Sequence, residues 1–155
     1  MKKLNITINF DLDGTLANLY GVEGWLPMLE AHDETPYVIA EPLLRLNIFA
    51  RIINKLQREG YRIAVLSWLS KNTDADYDER VTKAKLEWLE KYNFPYDEIH
   101  LVKYGTTKAN CTRKIGGYQI LIDDNEKVRK GWNLGDTINA NENILKNLEK
   151  LVNFA

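Results

Sequence analysis

A single cysteine, Cys111, and two histidines are the whole supply of thiol and imidazole in this 155-residue chain. One thiol cannot close an intrachain disulfide, and no signal-type segment opens the sequence, so a reducing cytoplasm is the expected setting. With so few sulfur and nitrogen donors, a metal site here has to be built from oxygen. Long hydrophobic runs are missing as well: nothing approaches the roughly 20 apolar residues of a membrane span. Excess charge of one sign is also absent. Lys and Arg number 21 against 22 Asp and Glu, for a formal net charge of −1, which argues against duplex nucleic acid as the main partner and leaves room for a small nucleotide held by a local cation. There is no internal repeat and no low-complexity tract. Length alone suggests a single domain over residues 1–155, large enough to bury about two-thirds of the surface of its unfolded chain.

What the chain does have is concentrated at Ile8 to Leu16, INFDLDGTL. Lys3 to Phe10 reads as a short apolar strand running into Asp11-Leu12-Asp13-Gly14-Thr15. Two carboxylates spaced by two share a face if the extended geometry persists. They repel unless a cation or a shared proton relieves them. For an oxygen-only site Mg²⁺ is the expected cation. Asp and Gly are also ordinary turn residues, so the rest of the chain has to decide.

The segment 17–41 has no clean period, carries Tyr20, Trp25 and Tyr37, and reads as a small, partly helical insertion over the turn, its exit bracketed by Pro36 and Pro42. Leu43 to Glu59 follows as an amphipathic helix, with Leu44, Ile48, Ile52 and Leu56 inward, widened by Leu43, Phe49 and Ile53, and Gly60 as its stop. Tyr61 to Leu66 is a buried strand that delivers Ser67 and Trp68. Asp76 and Glu79 resemble a capping pair for a helix reaching about Tyr92, with Tyr77, Val81, Ala84, Trp88 and Leu89 on its apolar side. Ile99 to Val102 is a third strand, after which Thr106 or Thr107 caps a short helix that puts Lys108 at its start. The helix dipole does not favour a lysine there, so an anion is expected nearby. Tyr118 to Ile122 is the fourth strand and ends in Asp123-Asp124-Asn125; a helix at Glu126 to Lys130, a weak strand at Thr137 to Asn139 and a closing helix from Asn141, with Ile144, Leu145, Leu148 and Val152 inward, complete the chain. Strands alternating with helices imply right-handed crossovers and a mainly parallel, three-layer α/β sheet of Rossmann-like type. All the polar deliveries then fall at one edge.

Carboxylate pair, hydroxyl, lysine and second carboxylate pair, each just beyond an apolar strand, resemble in order the four motifs of the haloacid dehalogenase (HAD) superfamily, with FDLDGTL the strongest of them. The resemblance spans Phe10 to Asn125. It implies a HAD-like fold in which 17–41 is a small cap, and it implies phosphatase chemistry. Asp11 matches the nucleophile that forms an aspartyl-phosphate, and Asp13 the general acid and base. Gly14, Thr15, Ser67, Trp68 and Lys108 match the turn and strand-end positions that hold the phosphoryl group, Lys108 being preferred to Lys103 because it follows a glycine and two threonines at the mouth of a helix. Mg²⁺ would be bound by the Asp11 carboxylate, the Asp13 main-chain carbonyl and Asp124, with Asp123 at or near it.

Within the superfamily the insertion, the strand-end serine and the IDD motif look most like the 5'(3')-deoxyribonucleotidase branch, from which the chain departs at Thr15, at Asn18 and in the shortness of the cap. The expected activity is hydrolysis of small cytosolic phosphate esters, nucleoside monophosphates among them. Tyr20 and Trp25 are the candidate contacts to the leaving group. A phosphotransferase or mutase would use the same residues but needs a cap that excludes water. A non-catalytic phosphate-binding module would need no nucleophile beside an acid.

Overall fold

The computed structural model describes residues 4–152 and is an α/β structure built on one five-stranded, all-parallel sheet. Strands β1 (Ile6–Phe10), β2 (Arg62–Trp68), β3 (Glu98–Val102), β4 (Tyr118–Asp123) and β5 (Thr137–Asn139) lie in the order β3-β2-β1-β4-β5. The helices between them form two outer layers, which makes the architecture three-layer and Rossmann-like. Strand β1 is central and pairs on both sides, Phe10 opposite Val65 in β2 and Ile122 in β4. It starts at Ile6; Lys3, where the sequence suggests its start, lies outside the described residues.

Side-chain alternation assigns the two faces of the sheet. Ile8, Phe10, Ile63, Val65, Ile120 and Ile122 belong to the larger core. Leu66 and Leu121 point the other way, into a smaller cluster with Ala109 and Trp132. Phe10 anchors the larger core through edge-on contacts to Phe49 and Phe94, with ring centroids 5.8 and 5.5 Å away.

Helix α1 (Trp25–Glu30) and helix α2 (Thr35–Ile39), with a short 3-10 turn at Leu19–Gly21, make up the insertion. Helix α3 (Leu46–Arg58) is shorter than the sequence expectation: Phe49, Ile53 and Leu56 are buried as expected, joined by Leu46, with Leu44 and Ile52 half-buried against the core, while Leu43 and Ile48 are exposed. The buried face centres on the residues that bring Phe49 onto Phe10. Residues 42–44 instead form a bridge from Pro42 to Ala17 and then a bend, with the Leu43 N–H donating to the Leu16 carbonyl at 2.8 Å. The stop at Gly60 is as expected, since its φ of 103° suits glycine.

Helix α4 (Ala75–Lys91) is capped by Asp74, whose carboxylate accepts from the Tyr77 N–H at 2.8 Å. Asp76 and Glu79 therefore do not cap it; they lie inside the helix. Asp74→Ala should cost about 1 kcal/mol of stability by the usual loss for an N-cap, read as a lower urea midpoint at unchanged slope. Helix α5 (Lys108–Thr112), helix α6 (Glu126–Lys130) and helix α7 (Ile144–Val152) complete the chain. Helix α7 begins three residues later than expected because the Asn143 side chain accepts from the Lys146 N–H and so caps it. Ile144 and Leu148 are buried and Leu145 half-buried; the Val152 side chain lies outside the described residues.

Helix α4 also holds the insertion in place. The Tyr77 hydroxyl donates to the Asp33 carbonyl at 3.0 Å, Arg80 pairs with Glu34 at 3.0 Å, and the Trp88 indole donates to the Ala40 carbonyl at 2.8 Å. Leu19, Leu29 and Tyr37 pack on Tyr77, Val81 and Ala84. Among the described residues no helix is long and apolar enough to cross a membrane.

Candidate active site

The carboxyl ends of β1, β2 and β4 open into a cleft of about 710 Å³ whose walls include Asp11, Asp13, Ser67, Lys108, Asp123 and Asp124. The alternation that buries Ile8 and Phe10 on one face turns Asp11 to the other, together with Asp123 of β4. Helix α5 lies on that side and delivers Lys108, only 4% exposed, between them. Its ammonium donates to Asp11 Oδ1 at 3.0 Å and Asp123 Oδ2 at 2.7 Å. These two carboxylates are the anion that a lysine at a helix start calls for. Lys103 stays exposed on the surface.

The second oxygen of Asp11 accepts from the Thr15 hydroxyl at 3.1 Å, and the Asp11 N–H donates to the Ile122 carbonyl at 2.9 Å. The Asp11 carboxylate is thus fixed from side chain and main chain alike. Gly14 closes the turn with φ of 82°, and any Cβ there would strike the Asp124 carboxylate and the Tyr20 ring. Glycine is required twice over, by backbone conformation and by lack of space.

Asp11, Asp123 and Asp124 each place a carboxylate oxygen within 4.8 Å of the others. Burial, with Asp11 close by, pushes Asp123 up to about 6 and Asp124 up to about 8. Asp13 is also raised, by burial first, against the pull of Lys85. Four acids and two lysines leave the site two negative charges in excess when all are ionised. An all-oxygen donor set with that imbalance suits a hard divalent cation such as Mg²⁺. Both oxygens of Asp123 are engaged, the second accepting from the Asn125 N–H at 2.9 Å, as both oxygens of Asp11 are by Lys108 and Thr15.

One site residue is not among those the motifs point to. Lys85, on α4, is 1% exposed and reaches the cleft from the opposite helical layer to Lys108. Its ammonium donates to Asp13 Oδ2 at 2.8 Å, to Ser67 Oγ at 2.9 Å and to the Trp68 carbonyl at 2.6 Å. The sequence does carry a trace of it: Lys85 stands four residues after Val81 and eight after Tyr77, on the face that has to be buried. A charge on such a face needs a partner.

The aromatic residues divide by role. Tyr37, 5% exposed, packs the insertion onto α4. Tyr20 and Trp25 meet edge-on, centroids 4.9 Å apart, on one wall of the cleft. Trp68 and Tyr104, 5.0 Å apart, form another. The Trp68 indole N–H is taken by the Thr106 carbonyl at 2.8 Å, so its side chain offers the cleft a ring face and no donor. No protein-family model matches the chain, and comparison with curated proteins finds no significant match.

Proposed function

We propose that the chain is a Mg²⁺-dependent phosphomonoesterase of the HAD type, acting on small phosphorylated metabolites. The observation that carries this reading is the buried Lys108 bridging Asp11 and Asp123, with Asp124 beside them and Asp13 held separately by another lysine. A binding module has no need of a fixed carboxylate facing the phosphate position with a second, independently held carboxyl group nearby. In the proposed reaction an Asp11 carboxylate oxygen attacks phosphorus and the ester oxygen departs with a proton from Asp13. Water, losing a proton to Asp13, then attacks the aspartyl-phosphate, releasing phosphate and restoring Asp11. Lys108 offsets charge on Asp11 and on the transferring group. Asp11, Asp124 and the Asp13 main-chain carbonyl would hold Mg²⁺, with Asp123 close to it; the ion supplies charge neutralisation at the phosphoryl oxygens.

The leaving group is proposed to be a nucleoside. Beyond the phosphoryl position the cleft presents two aromatic pairs, and the wall residues Tyr20 and Tyr104 are each 52% exposed, so their rings are available to a ligand. Stacking of a base on such a face is worth roughly 1–3 kcal/mol. The test is phosphate release from deoxyribonucleoside monophosphates and sugar phosphates, with and without Mg²⁺. Nucleotides should be preferred about tenfold or more in kcat/KM. Trp25→Ala and Tyr20→Ala should raise KM for the nucleotide alone and leave kcat nearly unchanged. Equal efficiency toward both substrate classes in the wild type would remove the nucleotidase reading and leave a general phosphatase.

A further inference from the structure

We infer that Lys85 is a positioning residue that sets the direction of hydrogen bonding at both Asp13 and Ser67. The inference rests on the phosphatase reading for the role of Asp13, but its basis is the geometry of three bonds. An ammonium has three protons and accepts nothing. Those of Lys85 are all used, on Asp13 Oδ2, Ser67 Oγ and the Trp68 carbonyl. Two consequences follow from donor and acceptor accounting alone.

At Asp13, Oδ2 is held as an acceptor, so a proton carried by this carboxyl group resides on Oδ1. The carboxyl is thereby oriented for transfer from one defined oxygen. At Ser67, Oγ accepts from Lys85, and its own proton must point elsewhere. Among the described residues, the protein acceptor it meets with hydrogen-bond geometry is the Trp68 carbonyl at 3.5 Å, a poor contact at the limit of hydrogen bonding and already engaged by Lys85. The hydroxyl proton is therefore directed to a ligand in the cleft, where a phosphoryl oxygen is the matching acceptor. One side chain makes Ser67 a donor and Asp13 a one-sided acid.

Lys85 also connects this arrangement to the insertion. Its ammonium lies 5.0 Å from the centre of the Tyr37 ring, and it shares α4 with Tyr77, Arg80 and Trp88, which hold the insertion down. The helix that seats the roof of the cleft therefore also orients its acid.

The test uses Lys85→Met, which keeps the length of the side chain and removes every donor. Two substrates are compared, a nitrophenyl phosphate, whose leaving group departs without help, and an alkyl phosphate, whose leaving group needs a proton. Because kcat/KM covers the steps through departure of the leaving group, Lys85→Met should lower it about 100-fold or more for the alkyl ester and about tenfold or less for the aryl ester, by the usual worth of general acid catalysis. Asp13→Asn should show the same leaving-group pattern, and the double variant should be little worse than Asp13→Asn alone, since both changes disable one unit. Lys85→Gln, which retains donors, should recover part of the alkyl-ester activity and serves in place of Lys85→Met if that variant fails to fold. Equal losses on both esters, no loss on either, or fully additive losses in the double variant would overturn the inference. A wild-type protein that turns over no phosphate ester would remove the phosphatase reading and this inference with it. An active wild type with an indifferent Lys85→Met removes the inference only.

Discussion

Asp11→Asn is expected to give a folded protein that has lost phosphate-ester hydrolysis by roughly 10³-fold or more, because the amide is not a competent nucleophile and no covalent intermediate can form. The fold should survive. The main-chain bond from Asp11 to the Ile122 carbonyl does not involve the side chain, and an asparagine oxygen can still accept from Thr15 or Lys108. Removing one of the crowded carboxylates also relieves the pressure on Asp123 and Asp124, whose protonation is favoured partly by Asp11. The measurement is acid quench of the protein during turnover, followed by intact mass. Wild type should carry one phosphoryl group and the variant none. Robust turnover by Asp11→Asn, or labelling at another residue, would sink the nucleophile assignment.

The second large effect is expected from the metal. Mg²⁺ should stabilise the protein by mass action, by about 2.7 kcal/mol at a hundredfold excess over its dissociation constant, which is on the order of 5–10 °C in Tm for a domain of this size. Asp124→Ala should remove most of that gain. The pH dependence has a definite sign. Asp123 and Asp124 are raised from the ordinary aspartate value to about 6 and about 8, so without metal the folded state binds more protons than the unfolded state between about pH 4 and pH 8. Stability of the metal-free protein is therefore lost as pH rises through that window. Mg²⁺ binding, which requires the ionised carboxylates, should restore it. Thermal melts at pH 5 and pH 8, each with Mg²⁺ or with EDTA, check this: the gain should be large at pH 8 and small at pH 5. Full activity in excess EDTA would exclude the proposed arrangement.

Much of the scaffold is legible in the chain because strands such as Ile63–Leu66 and Ile120–Ile122 are apolar runs that end abruptly in polar residues. Where Tyr118 to Ile122 stops, Asp123 and Asp124 have to sit at the sheet edge, and parallel pairing then brings them beside Asp11. The exact centre of the buried face of α3 is less accessible, because apolar residues cover more than half of the helix: Phe49, Ile53 and Leu56 go in as expected, and the exposure of Ile48 and the burial of Leu46 follow from Phe49 packing on Phe10. Capping of α4 turns on which of several acids near its start lies in an extended conformation, and Asp74 does, with ψ of 176°. Lys85 is harder to read for a different reason. Motif order along the chain directs attention to residues beyond strand ends, whereas this lysine enters from the middle of a helix and reveals itself only as a charge out of place on an apolar face.

The pairing of β1 with β4 has a consequence for synthesis. Phe10 and Ile122, register partners beside Asp11, are separated by most of the chain. A nascent polypeptide can pair β1 with β2 and fold Lys85 in beside Asp13 while β4 is still being made. Until then Lys108 has no Asp123 to share with Asp11, and one whole side of the central strand is without its neighbour. Such a distant contact is slow to close, since loop entropy is lost before the contact is made. Throughout translation the exposed edge of β1 is thus a surface on which another unfinished chain can add a strand.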